Sequence, residues 1–143
     1  MKSRESLVRL KRFQVEEKRR RVQQIELMIA EFEKMARDLD EQIRAEQERS
    51  GIRDQNHFAY PTFAKAAAQR RDNLKASAQE LQSQLEGAQD ELLGATDELR
   101  KYELMAERDQ ERERASQPPA DGQAADEPAP RRGRPLAGER RSV

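Results

Sequence analysis

Apolar and aromatic residues recur at alternating steps of four and three through the second half of the chain. The series consists of Leu74, Ala78, Leu81, Leu85, Ala88, Leu92, Ala95, Leu99, Tyr102 and Ala106. A period of 3.5 residues over this length is typical of a helix whose apolar stripe packs against another helix. The pattern therefore predicts a coiled-coil helix and makes the identity of its partner helix the first question about the fold.

A second apolar series, on the same heptad pattern, runs through the first 50 residues. Its members are Val8, Val15, Val22, Ile25, Ile29, Phe32, Ala36, Leu39 and Ile43. Lys11, Lys18 and Glu46 occupy the remaining core positions of this frame. We predict a helix over residues 4–50, with Ser3 as its N-cap and Gly51 in the left-handed conformation that ends it.

The segment 51–61 interrupts the heptad pattern and predicts a hinge. We expect a second helix over residues 62–115. Pro61 is expected to open it, because proline at the first position of a helix gives up only an unpaired N–H. Residues 1–24 and 51–75 are net basic, whereas residues 25–50 and 76–112 are net acidic. Antiparallel pairing places segments of opposite charge side by side, so residues 1–115 predict an all-α, long antiparallel two-helix coiled-coil hairpin.

Two helix registers are compatible with the pattern. One pairs Ala36 with Leu81 and Val22 with Ala95, and it alternates large residues with small ones. The other is shifted by one heptad and pairs Ala36 with Leu74 and Phe32 with Ala78. Complementary side-chain volumes favour the first register.

Composition supports a thin helical structure, since only 34% of the 143 residues are hydrophobic and 39% are charged. Residues 116–143 are rich in Pro, Gly, Ala and Arg and predict a disordered tail. Within it, residues 131–135 resemble the Arg-Gly-Arg-Pro core of an AT-hook, although a solubilising tail is the simpler interpretation. The net charge is zero, so we expect no specific nucleic-acid partner. There is neither an apolar signal-peptide region nor an apolar run near the roughly 20 residues of a membrane span, so we expect a cytoplasmic protein.

No catalytic constellation is recognisable. The chain lacks cysteine and a glycine-rich phosphate loop, and His57 is its only histidine. A zinc site would need carboxylates from the hinge beside His57, and a histidine without a special role is the simpler interpretation. We therefore expect a protein that is not an enzyme and binds no metal or cofactor.

Three of the six aromatic residues, Phe58, Tyr60 and Phe63, lie within six positions at the hinge. They either close the open end of the hairpin or form a partner-binding tip, because a two-helix tip has little interior for three rings.

The chain resembles the family of the flagellar export protein FliJ. The resemblance covers residues 1 to about 112, and it rests on the hairpin plan and two segments. These are the basic amphipathic start SLVRLKRFQVEEKRRRV and the hinge NHFAYPTFAKAAAQRRDNL leading into a heptad helix.

Members of that family resemble the central stalk of rotary ATPases and promote flagellar protein export in bacterial motility. The resemblance implies three partners: the hexameric flagellar export ATPase, the membrane protein of the export gate and export chaperones. It implies a cytoplasmic protein that is peripherally associated, through these partners, with the inner face of the membrane at the flagellar base.

The resemblance also implies two sets of binding residues. The gate-binding set is at the hinge and comprises Phe58, Tyr60, Phe63 and Ala67, with Leu74 as a later apolar position. The ATPase-binding set is at the helix termini and comprises Leu7, Arg9, Arg12 and Tyr102. Alternatives are a generic cytoplasmic coiled-coil scaffold, the stalk protein of a non-flagellar type III secretion system and a DNA-binding architectural protein.

Overall fold

The structure is a computed structural model and describes residues 2–117. Two long helices make up nearly all of this part of the chain. Helix α1 spans Lys2–Ser50 and helix α2 spans Thr62–Ser116. The all-α two-helix hairpin predicted from the heptad pattern is thereby confirmed. The predicted tail lies outside the described residues from residue 118 onward, and so does the AT-hook-like segment.

The chain divides into two compact units. The larger unit comprises residues 9–100, in which α1 and α2 lie antiparallel and are joined by the hinge, residues 51–61. The described part of the smaller unit comprises residues 2–8 and 101–117, where the start of α1 pairs with the last turns of α2.

Two apolar clusters form the core of the larger unit. The central cluster consists of Val22, Ile25, Ile29, Leu81, Leu85 and Ala88, with Phe32 and Leu92 packed against it. The hinge cluster consists of Ile43, Tyr60, Ala64, Ala67 and Ala68, with Leu39 and Ile52 packed against it. Ile25, only 1% exposed, is the largest side chain that is fully buried among the described residues.

Ion pairs between the helices define the register. Lys18 Nζ lies 2.9 Å from Glu91 Oε1, and Arg71 Nη1 lies 2.9 Å from Asp40 Oδ1. Both pairs fit the register that places Ala36 near Leu74. The register favoured by side-chain volumes is wrong, because it would separate Lys18 from Glu91 by about one heptad, roughly 10 Å.

Charged residues occupy heptad core positions of α1, and they explain both the register and the uneven burial of α2. Lys11 and Lys18 extend their ammonium groups out of the seam to Glu98 and Glu91. Their aliphatic stems cover apolar surface only in part. Leu92, Ala95 and Leu99 are consequently half-buried, whereas Leu81, Leu85 and Ala88 are buried.

The Lys18–Glu91 pair yields a pH prediction. Its hydrogen bond and charge attraction lower the pKa of Glu91 below the ordinary value of 4.5. The stabilisation is thus complete above the unfolded-state pKa of Glu91 and is lost as the pH falls through the lowered, folded-state pKa. We expect Lys18→Met to raise the Glu91 titration midpoint measured by carboxyl ¹³C chemical shifts. Lys34→Met removes a partner of Asp38 and is the control, in which the Glu91 midpoint should not change. An unchanged Glu91 midpoint in Lys18→Met would contradict the prediction.

The smaller unit has a buried carboxylate on its apolar seam. Val8 is buried there, and Asp109 is as well. Arg4 Nε lies 3.0 Å from Asp109 Oδ2, but this contact is an ion pair without hydrogen-bond geometry. Arg112 Nη1 approaches the other carboxylate oxygen at 3.7 Å. The two guanidinium groups offset part of the cost of burying the charge.

The helix ends follow the sequence signals with shifts of one or two residues. Gly51 has a φ of 77°, and its N–H donates to the Gln47 carbonyl at 2.8 Å, as predicted for the end of α1. The Pro61 carbonyl accepts the Lys65 N–H at 3.1 Å. Pro61 is therefore the N-cap of α2 and not its first helical residue. Helix α1 begins at Lys2, so Ser3 lies within its first turn and is not the cap.

Glycine substitutions should have opposite effects at the helix end and within α2. Gly51→Ala is expected to lower the free energy of unfolding by about 1 kcal/mol, because its left-handed conformation is strained for alanine. Gly87→Ala is expected to raise it by about 1 kcal/mol, since the helical site has open space for a Cβ. Urea unfolding followed by circular dichroism measures both values. Changes of the same sign would contradict the prediction.

Candidate functional site

The hinge is ordered by consecutive turns. The Asp54 carbonyl accepts the His57 N–H at 3.1 Å, and the His57 carbonyl accepts the Tyr60 N–H at 3.0 Å. Asp54 Oδ1 also accepts the Asn56 N–H at 3.0 Å, which is an Asx turn. These bonds give the hinge a defined backbone path between the two helices.

Tyr60 anchors the hinge to the hairpin. It is only 7% exposed and packs in the hinge cluster with Ile43 and Ala64. Its phenol oxygen accepts a hydrogen bond of 2.9 Å from Gln47 Nε2. The tyrosine thus buries its ring and still satisfies its hydroxyl group. Of the three hinge aromatics, this one closes the open end of the hairpin.

The two phenylalanines are exposed. Phe58, within the second turn, is 96% exposed, and Phe63, in the first turn of α2, is 54% exposed. Large apolar side chains this exposed and close in sequence are typical of partner-binding surfaces. We call Phe58 and Phe63 the exposed pair.

The other members of the predicted gate-binding set lie in the core. Tyr60 and Ala67 are buried in the hinge cluster, and Leu74 is half-buried on the heptad seam. The side chains of Tyr60 and Ala67 are not available for a partner while the hairpin is intact, whereas Leu74 is partly accessible. The reason is that the helical period which places Phe63 outward directs Ala64, Ala67 and Ala68 inward.

His57 has a local role that the sequence analysis missed. Its Nδ1 accepts the Ala59 N–H at 3.0 Å, and its ring stacks on that of Phe58 with centroids 4.7 Å apart and planes 21° apart. A turn-forming histidine beside an aromatic residue is only a weak signal in sequence. No group of residues able to hold a metal ion occurs within residues 2–117, which includes the surroundings of His57.

The predicted ATPase-binding residues are distributed over both units. In the smaller unit, Leu7 is exposed and Tyr102 is half-buried. In the larger unit, Arg9 and Arg12 are exposed. Arg9, Arg12 and Tyr102 each take part in an interaction within the chain, so a partner would have to share or replace those contacts.

Neither described helix is long and apolar enough to cross a membrane. Comparison of the chain with protein-family models, curated proteins and solved structures finds no match.

Proposed function

We propose that this protein is a non-enzymatic coupling component of the flagellar type III protein export apparatus. In this proposal it binds the export ATPase hexamer through residues near the helix termini and the export gate through the hinge. The observation that carries the proposal is the exposed pair: Phe58 and Phe63 point to solvent at the segment with the most specific resemblance to the FliJ family.

Exposure of the two rings gives the hinge a physical reason to bind a partner. A phenylalanine buries roughly 150–250 Å² when it is covered, and aromatic anchors of this kind dominate many interfaces. The surrounding turns and the buried Tyr60 hold the backbone in place, so little ordering entropy is lost on binding. Phe58 and Phe63 are thus suited to fill apolar depressions on the gate protein.

For the ATPase, the proposed contacts are Leu7, Arg9, Arg12 and Tyr102. Leu7 supplies apolar surface, and the two exposed guanidinium groups are suited to carboxylates of a partner. Export chaperones are further proposed partners. Location at the inner face of the cell membrane would follow from gate binding, with the chain itself remaining in the cytoplasm.

The gate proposal predicts a specific loss of affinity. We expect Phe58→Ala and Phe63→Ala each to weaken binding to the cytoplasmic domain of the export gate protein about tenfold, or about 1.4 kcal/mol, as measured by calorimetry. Leu27→Ala is the matched control, because Leu27 is 71% exposed on α1 outside the hinge. All three variants should keep wild-type helicity. Equal losses in the hinge variants and the control, or no loss in either hinge variant, would contradict the gate assignment.

The ATPase half of the proposal is tested separately. The full chain is titrated into the flagellar export ATPase of the same organism, while hexamer formation and ATP hydrolysis are followed together. A saturable rise in both supports coupling. No change in either, together with no gate binding, would favour a generic coiled-coil scaffold. Activation of only a non-flagellar secretion ATPase would assign the protein to that system.

A further inference from the structure

The fully exposed Phe58 is held by an unusual local partner. In the turn formed by residues 57–60, the backbone bond from Tyr60 to His57 leaves the Ala59 N–H to be satisfied elsewhere. The His57 side chain accepts it through Nδ1 at 3.0 Å. The imidazole thereby acts as asparagine or aspartate does in an Asx turn, and Asp54 makes the equivalent bond to Asn56 in the same hinge.

The same ring also contacts Phe58. An acceptor at Nδ1 requires a lone pair there, so the neutral ring carries its proton on Nε2. Nδ1 accepts the N–H of Ala59, the residue after Phe58. This bond holds the imidazole beside the phenyl ring of Phe58, with the ring centroids 4.7 Å apart. One side chain therefore restrains both the backbone that follows Phe58 and the phenyl ring itself.

We propose that His57 is a positioning residue that holds Phe58 in a binding-competent orientation. This inference deepens the proposed function and rests on it for the identity of the partner. A side chain that is nearly all in solvent has no neighbouring core to order it, and ordering it at the moment of binding lowers affinity. His57 orders Phe58 before the partner arrives.

The chemistry of the hinge favours an apolar protein pocket as the occupant of this site. Arg53 and Asp54 are the formally charged residues of segment 51–61, and their charges are opposite. This segment by itself therefore has no net charge to attract an anionic bilayer or nucleic acid. An exposed phenyl ring such as that of Phe58 is instead suited to an apolar pocket, which this proposal places on the gate protein.

Three variants of the full chain separate the acceptor from the ring. His57→Ala removes both, His57→Phe keeps an aromatic ring without the acceptor, and His57→Asn keeps an acceptor that can bond the Ala59 N–H. Hydrogen exchange of the Ala59 amide and ¹⁵N relaxation of Phe58 report the order of the tip without any partner. Calorimetry with the gate cytoplasmic domain reports binding.

We expect His57→Ala and His57→Phe to speed Ala59 exchange, to increase the mobility of Phe58 and to weaken gate binding about three- to tenfold. His57→Asn should restore most of the wild-type behaviour in all three measurements. Unchanged exchange in His57→Ala would overturn the positioning role. Faster exchange with unchanged gate affinity would overturn its relevance to binding.

Failure of the proposed function gives a different result. If the wild-type chain does not bind the gate domain, the gate assignment fails, whereas Ala59 exchange and Phe58 relaxation still decide whether His57 orders the tip. Binding of the wild-type chain to anionic phosphatidylglycerol vesicles that is lost in Phe58→Ala would overturn the assignment of a protein pocket.

Discussion

Ile25→Ala is expected to lower the free energy of unfolding of the hairpin by about 3 kcal/mol. Ile25 is 1% exposed and lies at the centre of the central cluster, beside Ile29 and Leu85. Truncation removes the buried aliphatic carbons and leaves a cavity, and such changes typically cost about 2–5 kcal/mol. The expected loss is below the upper end of that range because two helices collapse around a void more readily than a thick core does. Urea unfolding monitored by circular dichroism at 222 nm measures the difference.

The matched control is two residues away on the same helix. Leu27 is 71% exposed, so Leu27→Ala should change the unfolding free energy by less than about 0.5 kcal/mol. Ile25→Val should cost about 1 kcal/mol and keeps the comparison possible if Ile25→Ala does not fold. Similar losses from Ile25→Ala and Leu27→Ala would show that the central cluster is not the core of the hairpin.

Tyr60→Ala is expected to cost about 3 kcal/mol, because it removes the only aromatic ring of the hinge cluster among the described residues. Tyr60→Phe should cost about 1 kcal/mol, since it keeps the ring but leaves Gln47 without its phenolic acceptor. Both values come from the same urea experiment.

Phe58→Ala is the control for Tyr60, since Phe58 lies two residues earlier and is 96% exposed. It should change stability by less than about 0.5 kcal/mol while it weakens gate binding. Tyr60→Ala should affect both properties, because the hinge backbone loses its anchor. A larger stability loss in Phe58→Ala than in Tyr60→Ala would reverse the roles given to the two rings.

These paired residues show where sequence reasoning reached its limit. Phe58, Tyr60 and Phe63 are similar in a sequence, and their clustering predicted either a plug or a partner-binding tip. The structure buries Tyr60 and leaves Phe58 and Phe63 exposed, so only Tyr60 is shown to close the hairpin. Burial of Tyr60 depends on where the hinge backbone returns to α1. The turn hydrogen bonds at Asp54 and His57 decide that path, and heptad periodicity does not encode it.

The helix register was also decided by contacts in the folded structure and not by the apolar pattern. Volume complementarity among apolar residues favoured pairing Val22 with Ala95, since it took no account of the lysines on the seam. Lys18 lies at a core position and needs an acidic partner within reach of its side chain, which Glu91 supplies at 2.9 Å. A polar residue in a coiled-coil core restricts the alignments that are possible.

The sequence by itself determined the local properties of this protein: two helices, their ends at Ser50 and near Thr62, and the faces that they bury. Those properties follow from the heptad period, from Gly51 and from Pro61, all of which act within a few residues. Only the tertiary structure decided the register, the burial of Tyr60 and the exposure of Phe58. Each of these depends on contacts between residues distant in sequence or on the path of the hinge. A register shift of one heptad leaves the apolar pattern unchanged but separates ion pairs between the helices, such as Lys18–Glu91 and Arg71–Asp40.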